Sequence, residues 1–311
     1  MPRTCNNSPR YICGYDKQKG ERILSMPTGH PKEKRANDGT LVTSPITIED
    51  HKKFYEGTVY KNNLGQKFVI TDYHNADDVG IKFLDEYGYE NRVYMSTIPK
   101  GAVKNPYTPG KFGCYVGDGP YGRVNDKKAY YVWTDMHQRI YSGKTEGEYR
   151  HDLYASYGVC SICDEWHNFQ NFAPWYYSYL EKLNPEYEYF IDKDIFQFNI
   201  LHKVYSPNTC CLVPSDINEC ISGLYTFVGD LPLGVKLKDG AYYAYSRCIH
   251  NVEELGPYLD IDKASEIAID LKCKMIKELA YSYYINNAIT KKVYDALCNL
   301  NIRPFPIYDD V

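Results

Sequence analysis

The chain has 311 residues and a mass of 36.0 kDa, which at roughly 150 residues per domain excludes a single small module. Hydrophobic residues make up 43% and charged residues 24%, the ordinary globular mixture, so a wholly disordered or fibrous protein is excluded as well. The net charge of -4 does not mark the whole chain as a nucleic-acid binder, so any such surface is expected to be local. Since no run of about 18 apolar residues occurs and the N-terminus lacks the apolar core of a signal peptide, we expect neither a membrane span nor an export signal.

The N-terminal part is predicted to form an extended arm followed by a small β-module. Residues 1–52 are rich in Asn, Pro, Lys, Arg and Gly and lack a sustained apolar period, which predicts the arm. Residues 53–122 contain short β-like runs separated by turn residues, which predict a small β-barrel or meander. The runs cover residues 57–60, 67–73, 79–84 and 92–97.

Residues 123–228 are predicted to form a separate domain. Apolar residues spaced three and four apart around Trp133 and again from Trp166 predict two amphipathic helices. Further on, an alternating run, a turn and a second run that ends at Val213 predict two strands. Pro214 and the polar residues after it then start a short helix.

Residues 229–311 are predicted to form a last domain, which makes the whole chain a multi-domain α+β protein. The dipeptide Asp239-Gly240 between two β-like runs is typical of a hairpin turn. A third strand near Tyr258 and a helix from Asp262 complete the pattern, with a further helix near its end.

The 11 cysteines predict reduced thiols rather than a disulfide framework, which belongs to short secreted domains. Cys160 and Cys163 form a Cys-x-x-Cys pair, the only local signal for zinc. Adjacent cysteines on a strand point to opposite faces, so a complete zinc site is disfavoured against buried structural thiols. The residues that could complete such a site are Cys210, Cys211, His167 and His202.

Two blocks of the sequence resemble known phage proteins. The first runs through Trp133-Thr-Asp-Met136, Val159-Cys160-Ser-Ile-Cys163-Asp-Glu-Trp166, Asp192-Lys193-Asp194-Ile195, Tyr205-Ser206-Pro207 and Ile217-Asn218. It is similar to the HNH homing-endonuclease-like proteins of bacteriophages. The second block, with Gly234-Val235, Asp239-Gly240, Tyr243, Leu255-Gly256 and Tyr258-Leu259-Asp260, resembles the Apetala/ERF-like DNA-binding domain that follows in that family.

The first resemblance implies an HNH-like ββα core with flanking helices that cuts DNA with a divalent metal, Mg²⁺ or Mn²⁺. Asp192 and Asn218 match the metal-ligand positions, and His202 is the nearby candidate for the catalytic base that activates water. Lys193 stands where the family has its histidine base, so cleavage stays an open question. The alternative interpretation of Asp192 and Asp194 is structural, with pairing to neighbouring lysines or backbone amides.

The second resemblance implies that a three-stranded sheet presents basic side chains to the major groove, where Arg contacts guanine and Lys contacts phosphate. The matching DNA-binding candidates are Lys236, Lys238, Arg247 and His250. Residues 216–311 carry 10 basic and 14 acidic side chains, which weakens this prediction. The alternative is a Tyr-rich face that contacts protein.

Together these features predict a phage DNA-binding protein of HNH-endonuclease descent that acts in the cytoplasm of an infected bacterial host, with or without surviving hydrolase activity. The alternative is a non-enzymatic interaction protein that keeps the nuclease scaffold, such as a host-factor inhibitor or a virion-associated component. The sequence leaves the oligomeric state open.

Overall fold

The computed structural model describes the backbone of four short strands between residues 11 and 44, and residues 47–110, 112–141, 160–222, 224 and 231–304. Over these ranges the chain is an α+β protein with six α-helices and several small sheets, which confirms the predicted class at this level. The chain divides into two compact units, Met1–Thr108 and Pro109–Val311. The second unit contains both the predicted ββα domain and the predicted C-terminal domain.

The first unit contains two hairpins, one helix and a four-stranded sheet. Its elements are β1 (Tyr11–Asp16), β2 (Glu21–Ser25), β3 (Lys32–Arg35), β4 (Leu41–Ser44), α1 (Ile48–Tyr55), β5 (Val59–Lys61), β6 (Lys67–Asn75), β7 (Asp78–Phe83) and β8 (Glu90–Val93). Part of the predicted arm, residues 1–52, lies outside the described residues; within it β1 pairs with β2, β3 pairs with β4 and α1 begins at Ile48. The capping box of Thr47 and Asp50 sets the start of α1.

The predicted β-module is an open antiparallel meander in the order β5-β6-β7-β8. Its described strands form no closed barrel, since β5 and β8 are the two edges of the sheet. Phe68, Ile70 and Val79 are fully buried in its core, where α1 packs against β6. The alternation of apolar and polar residues along β6 explains why one face of this sheet is covered.

The second unit begins with two helices around short strands and ends with a sheet and two helices. Its elements are α2 (Lys127–Tyr141), β9 (Ser161–Ile162), α3 (Phe169–Leu180), β10 (Tyr189–Asp192), β11 (Val204–Tyr205), β12 (Cys211–Pro214), α4 (Ser215–Ser222), β13 (Val235–Lys238), β14 (Ala241–Cys248), β15 (Asn251–Tyr258), α5 (Ile261–Ile285) and α6 (Lys291–Cys298). The two helices predicted from apolar spacing are α2 and α3, and the predicted succession of two strands and a helix is β10, β12 and α4.

The antiparallel pair β10-β12 lies between two hydrophobic cores. Leu212 belongs to the core that contains Trp133 and Trp166, whereas Val213 belongs to the core formed with α4, α5 and α6. Successive residues of a strand point to opposite faces, so β12 contributes to both cores. Both faces of β12 are therefore buried.

The C-terminal sheet has the order β13-β14-β15 and packs against α5. The predicted hairpin turn is confirmed, since Asp239 and Gly240 both have positive φ between β13 and β14. Gly234, just before β13, has a φ of +74°, and a Cβ there would lie 2.7 Å from the Tyr245 carbonyl oxygen and 2.9 Å from the Ala268 Cβ. Only glycine fits this approach of chain, sheet and helix.

A disulfide joins Cys220 of α4 to Cys248 of β14, with a Cα–Cα distance of 5.0 Å. The prediction of reduced thiols is therefore wrong for this pair. The two residues are 28 positions apart, and only the packing of α4 against β14 brings them together.

None of the described helices combines the length and the apolar character that a membrane span requires.

Candidate functional site

The buried end of β10 carries Asp192, one of the two residues for which a metal role was predicted. Asp192 is only 3% exposed, and its Oδ1 accepts hydrogen bonds from the backbone N–H groups of Asp194 and Ile195, each at 2.8 Å. Burial raises the pKa of Asp192 to about 6, and the nearby charge of Asp194 acts in the same direction. The carboxylate thus closes the turn that follows β10.

Asp194 is the centre of a buried ion-pair group with Lys193 and Lys203. The Lys193 Nζ lies 3.0 Å from Asp194 Oδ2, and the Lys203 Nζ lies 2.5 Å from Oδ1. Burial raises the pKa of Asp194, but the two ammonium groups lower it by more, so that it lies below its ordinary value. Lys193 is therefore paired with a carboxylate, as the structural interpretation of this segment expected.

Gln197 holds the loop between β10 and β11 in place by hydrogen bonds. Its Nε2 donates to the carbonyl oxygens of Lys193, at 2.8 Å, and Val204, at 3.0 Å, and its Oε1 accepts from the Val204 N–H at 2.9 Å. This buried amide was missed in the sequence, although a glutamine in an otherwise apolar run was a usable signal. The loop is held by polar contacts on both of its sides.

The other two residues of the predicted catalytic set lie on the same unit but in different settings. His202 is exposed, beside the buried Lys203, in the turn before β11. Asn218 lies half-buried on α4, which packs against β10 and β12. The structure therefore confirms the succession of strand, strand and helix, but the Asp192 carboxylate is already used by the backbone. Over the described residues no three His, Cys, Asp or Glu side chains form a group that could hold a metal ion.

The candidate zinc site consists of free cysteines and of His167, whose ring has two hydrogen-bond partners. The two ring nitrogens of His167 lie 3.0 Å from the Tyr141 hydroxyl and 3.2 Å from the Cys163 carbonyl oxygen. Cys210 and Cys211 point into different cores, and burial raises the pKa of both thiols. These side chains do not converge on one point.

The basic residues of the C-terminal sheet share one face. Ala244, Ser246 and Cys248 are buried, so the alternate residues of β14 point to the other side of the sheet. Antiparallel pairing places Lys236 opposite Tyr243 and Glu254 opposite Tyr245. The resulting outer sheet face consists of Lys236, Lys238, Tyr243, Tyr245, Arg247 and Glu254.

The two lysines of the outer sheet face are bound to an aromatic ring and to a carboxylate. The Lys236 Nζ lies 3.0 Å from the centre of the Tyr245 ring, and the Lys238 Nζ lies 5.2 Å from that of Tyr243. The hydrogen bond from Lys238 and the charge of both lysines lower the pKa of Glu254. Glu254 thereby offsets part of the positive charge on this face.

Arg247 and His250 complete the predicted DNA-binding set. Arg247 is exposed, and its Nε donates to the Ile249 carbonyl oxygen at 3.1 Å. His250 is exposed in the turn between β14 and β15 rather than on a strand. The three predicted residues of the strands are thus on one face, and His250 is at its end.

The chain matches no protein-family profile, no curated protein and no solved structure.

Proposed function

We propose that the chain is a phage DNA-binding protein of HNH-endonuclease descent, and that its outer sheet face contacts duplex DNA. The observation that supports this most directly is that Lys236, Lys238 and Arg247 project from one side of a three-stranded antiparallel sheet. In the Apetala/ERF-like domains that the sequence resembles, such a sheet enters the major groove. There Arg can donate two hydrogen bonds to guanine, and Lys neutralises phosphate.

The test is a salt titration of binding to labelled duplex DNA by fluorescence anisotropy. We expect the double variant Lys236→Ala with Lys238→Ala to lose affinity about tenfold and to show a salt slope smaller by roughly 1 to 2 units. Lys263→Ala is the matched control, because that lysine is exposed on α5 and pairs with Glu266. Binding without salt dependence would contradict phosphate contacts.

A second candidate function is a non-enzymatic contact with protein, and Glu254 favours it. A carboxylate in the middle of a DNA-binding face repels phosphate, whereas half-buried tyrosines such as Tyr243 and Tyr245 suit protein interfaces. Cross-linking in infected-host extract would test this. Tyr245→Ala should reduce capture of a specific protein, and loss of DNA binding should leave that capture unchanged.

Phosphodiester hydrolysis is the least supported of the functions that the resemblance implies, because the carboxylate of Asp192 is buried and accepts two backbone hydrogen bonds. Plasmid DNA incubated with Mg²⁺ or Mn²⁺ tests it. Nicking by the wild type and not by Asp192→Ala, with both proteins folded by circular dichroism, would support hydrolysis. Equal nicking by both, or by neither, would count against it.

A further inference from the structure

A cavity of about 450 Å³ lies between α4, β14 and α5, on the side of the C-terminal sheet opposite the outer sheet face. Its volume is within the range of small-molecule sites, roughly 300 to 1,000 Å³. Much of the wall is apolar, with Leu233, Ile249, Ala268 and Ile269. Such a wall suits the hydrocarbon part of a small organic ligand.

One polar group on the wall, the Ser246 hydroxyl, lacks the partner that burial demands. The Ser246 side chain is 3% exposed, and its Oγ has no hydrogen-bond partner among the described residues. An unpaired buried hydroxyl costs about 1 to 3 kcal/mol, so such groups usually have a partner. A ligand oxygen in the cavity would satisfy it.

Lys272 of α5 supplies a positive charge to the same cavity. Its Nζ donates to the Arg247 carbonyl oxygen at 2.6 Å, and in the described part of the chain no carboxylate lies within ion-pair distance of it. Burial lowers the pKa of Lys272 to about 8. An ammonium has three donors, so two remain for a ligand.

We propose that this cavity binds a small organic monocarboxylate, whose carboxylate accepts hydrogen bonds from Lys272 and Ser246 and whose hydrocarbon body packs on Ile249 and Ile269. Glu219 also lines the cavity, so a ligand with two negative charges, such as phosphate, is repelled more strongly than a ligand with one. The expected ligand therefore carries one negative charge on an apolar body. The proposal is independent of DNA binding.

The experiment is calorimetric titration of the full chain with sodium octanoate, with 1-octanol and inorganic phosphate as the other two probes. We expect octanoate to bind, octanol to bind at least tenfold more weakly, and phosphate not to bind. Lys272→Met should weaken octanoate binding at least tenfold and Ser246→Ala about fivefold. Lys274→Met should leave it unchanged, because that lysine is exposed on the same helix.

Circular dichroism and the thermal unfolding midpoint establish that each variant is folded. If Lys272→Met does not fold, nuclear Overhauser contacts between octanoate and the methyl groups of Ile249 and Ile269 in the wild type serve as the readout. Absence of octanoate binding, equal affinity for octanol, or contacts to other methyl groups would overturn the proposal.

Discussion

Lys238 and Glu254 form an ion pair across the outer sheet face, with Nζ and Oε1 2.5 Å apart. The same carboxylate lies 3.9 Å from the Lys236 Nζ, so one acidic side chain serves two lysines. Any phosphate that approaches this face has to displace Glu254 or share the lysines with it. The pair therefore limits how strongly this face can attract an anion.

Replacing Glu254 with Gln should strengthen DNA binding. The change removes one negative charge and releases both lysines, so we expect affinity to rise several-fold and the salt slope to steepen by about 0.9 for each phosphate gained. Fluorescence anisotropy at several salt concentrations measures both. Glu266→Gln, on the exposed surface of α5, is the control. Unchanged affinity for Glu254→Gln would argue that the outer sheet face does not contact DNA.

Replacing Asp194 with Asn should destabilise the second unit strongly. The substitution leaves the buried ammonium groups of Lys193 and Lys203 without their shared carboxylate, a loss of roughly 3 to 5 kcal/mol. Urea unfolding followed by tryptophan fluorescence measures the free energy. Glu165→Gln, an exposed carboxylate on the same unit, should change it little.

Adding Lys203→Met to Asp194→Asn should restore part of the lost stability, since one of the two buried ammonium groups is then removed as well. If the double variant is less stable than the single one by the full cost of Lys203→Met alone, the lysine and the aspartate act independently, and the ion-pair explanation is incorrect.

His137 should make the second unit sensitive to acid. The ring is fully buried against Trp133, and burial lowers its pKa to about 4, whereas an unfolded histidine titrates near 6.5. Between these values the unfolded chain binds the extra proton, so stability is complete above about pH 6.5 and falls as the pH drops towards 4.

The contribution of His137 is at most roughly 3 kcal/mol over that pH interval. His137→Phe should flatten the dependence of the unfolding free energy on pH, whereas His250→Gln in an exposed turn should not. An unchanged acid slope in His137→Phe would show that other groups cause it.

Reduction of the disulfide should loosen the C-terminal part of the second unit. Closing a segment with a sequence separation of 28 residues contributes about 3.5 kcal/mol through the unfolded chain. Dithiothreitol should therefore lower the urea midpoint of the wild type. The double variant Cys220→Ser with Cys248→Ser should have the urea midpoint of the reduced protein, and dithiothreitol should not change it. A midpoint that dithiothreitol does not move would exclude this stabilisation.

Much of the local structure of the second unit could be predicted, because it follows from short-range rules. The spacing of Trp133 and Met136 predicts α2, and Asp239-Gly240 predicts the hairpin turn between β13 and β14. The start of α5 follows from the Asp260 side chain, which accepts a hydrogen bond from the Asp262 N–H. Each of these signals lies within a few residues of the structure that it specifies.

The parts that could not be predicted depend on contacts between distant residues. The disulfide of Cys220 requires the packing of α4 against β14, and the roles of Asp192 and Asp194 depend on burial that a single sequence does not reveal. The pairs β1-β2 and β3-β4 were also not predicted, because they form without a long apolar period. The cavity beside Lys272 likewise exists only once sheet and helix have packed.

Gly234 leaves no space for a methyl group between the Tyr245 carbonyl and Ala268. Any larger residue there would push the first strand of the C-terminal sheet away from its helix and move Lys236, two positions later, with it. A single hydrogen atom in place of a side chain thus fixes where the ammonium groups stand above the sheet, and a substitution at this position would displace Lys236 without replacing it.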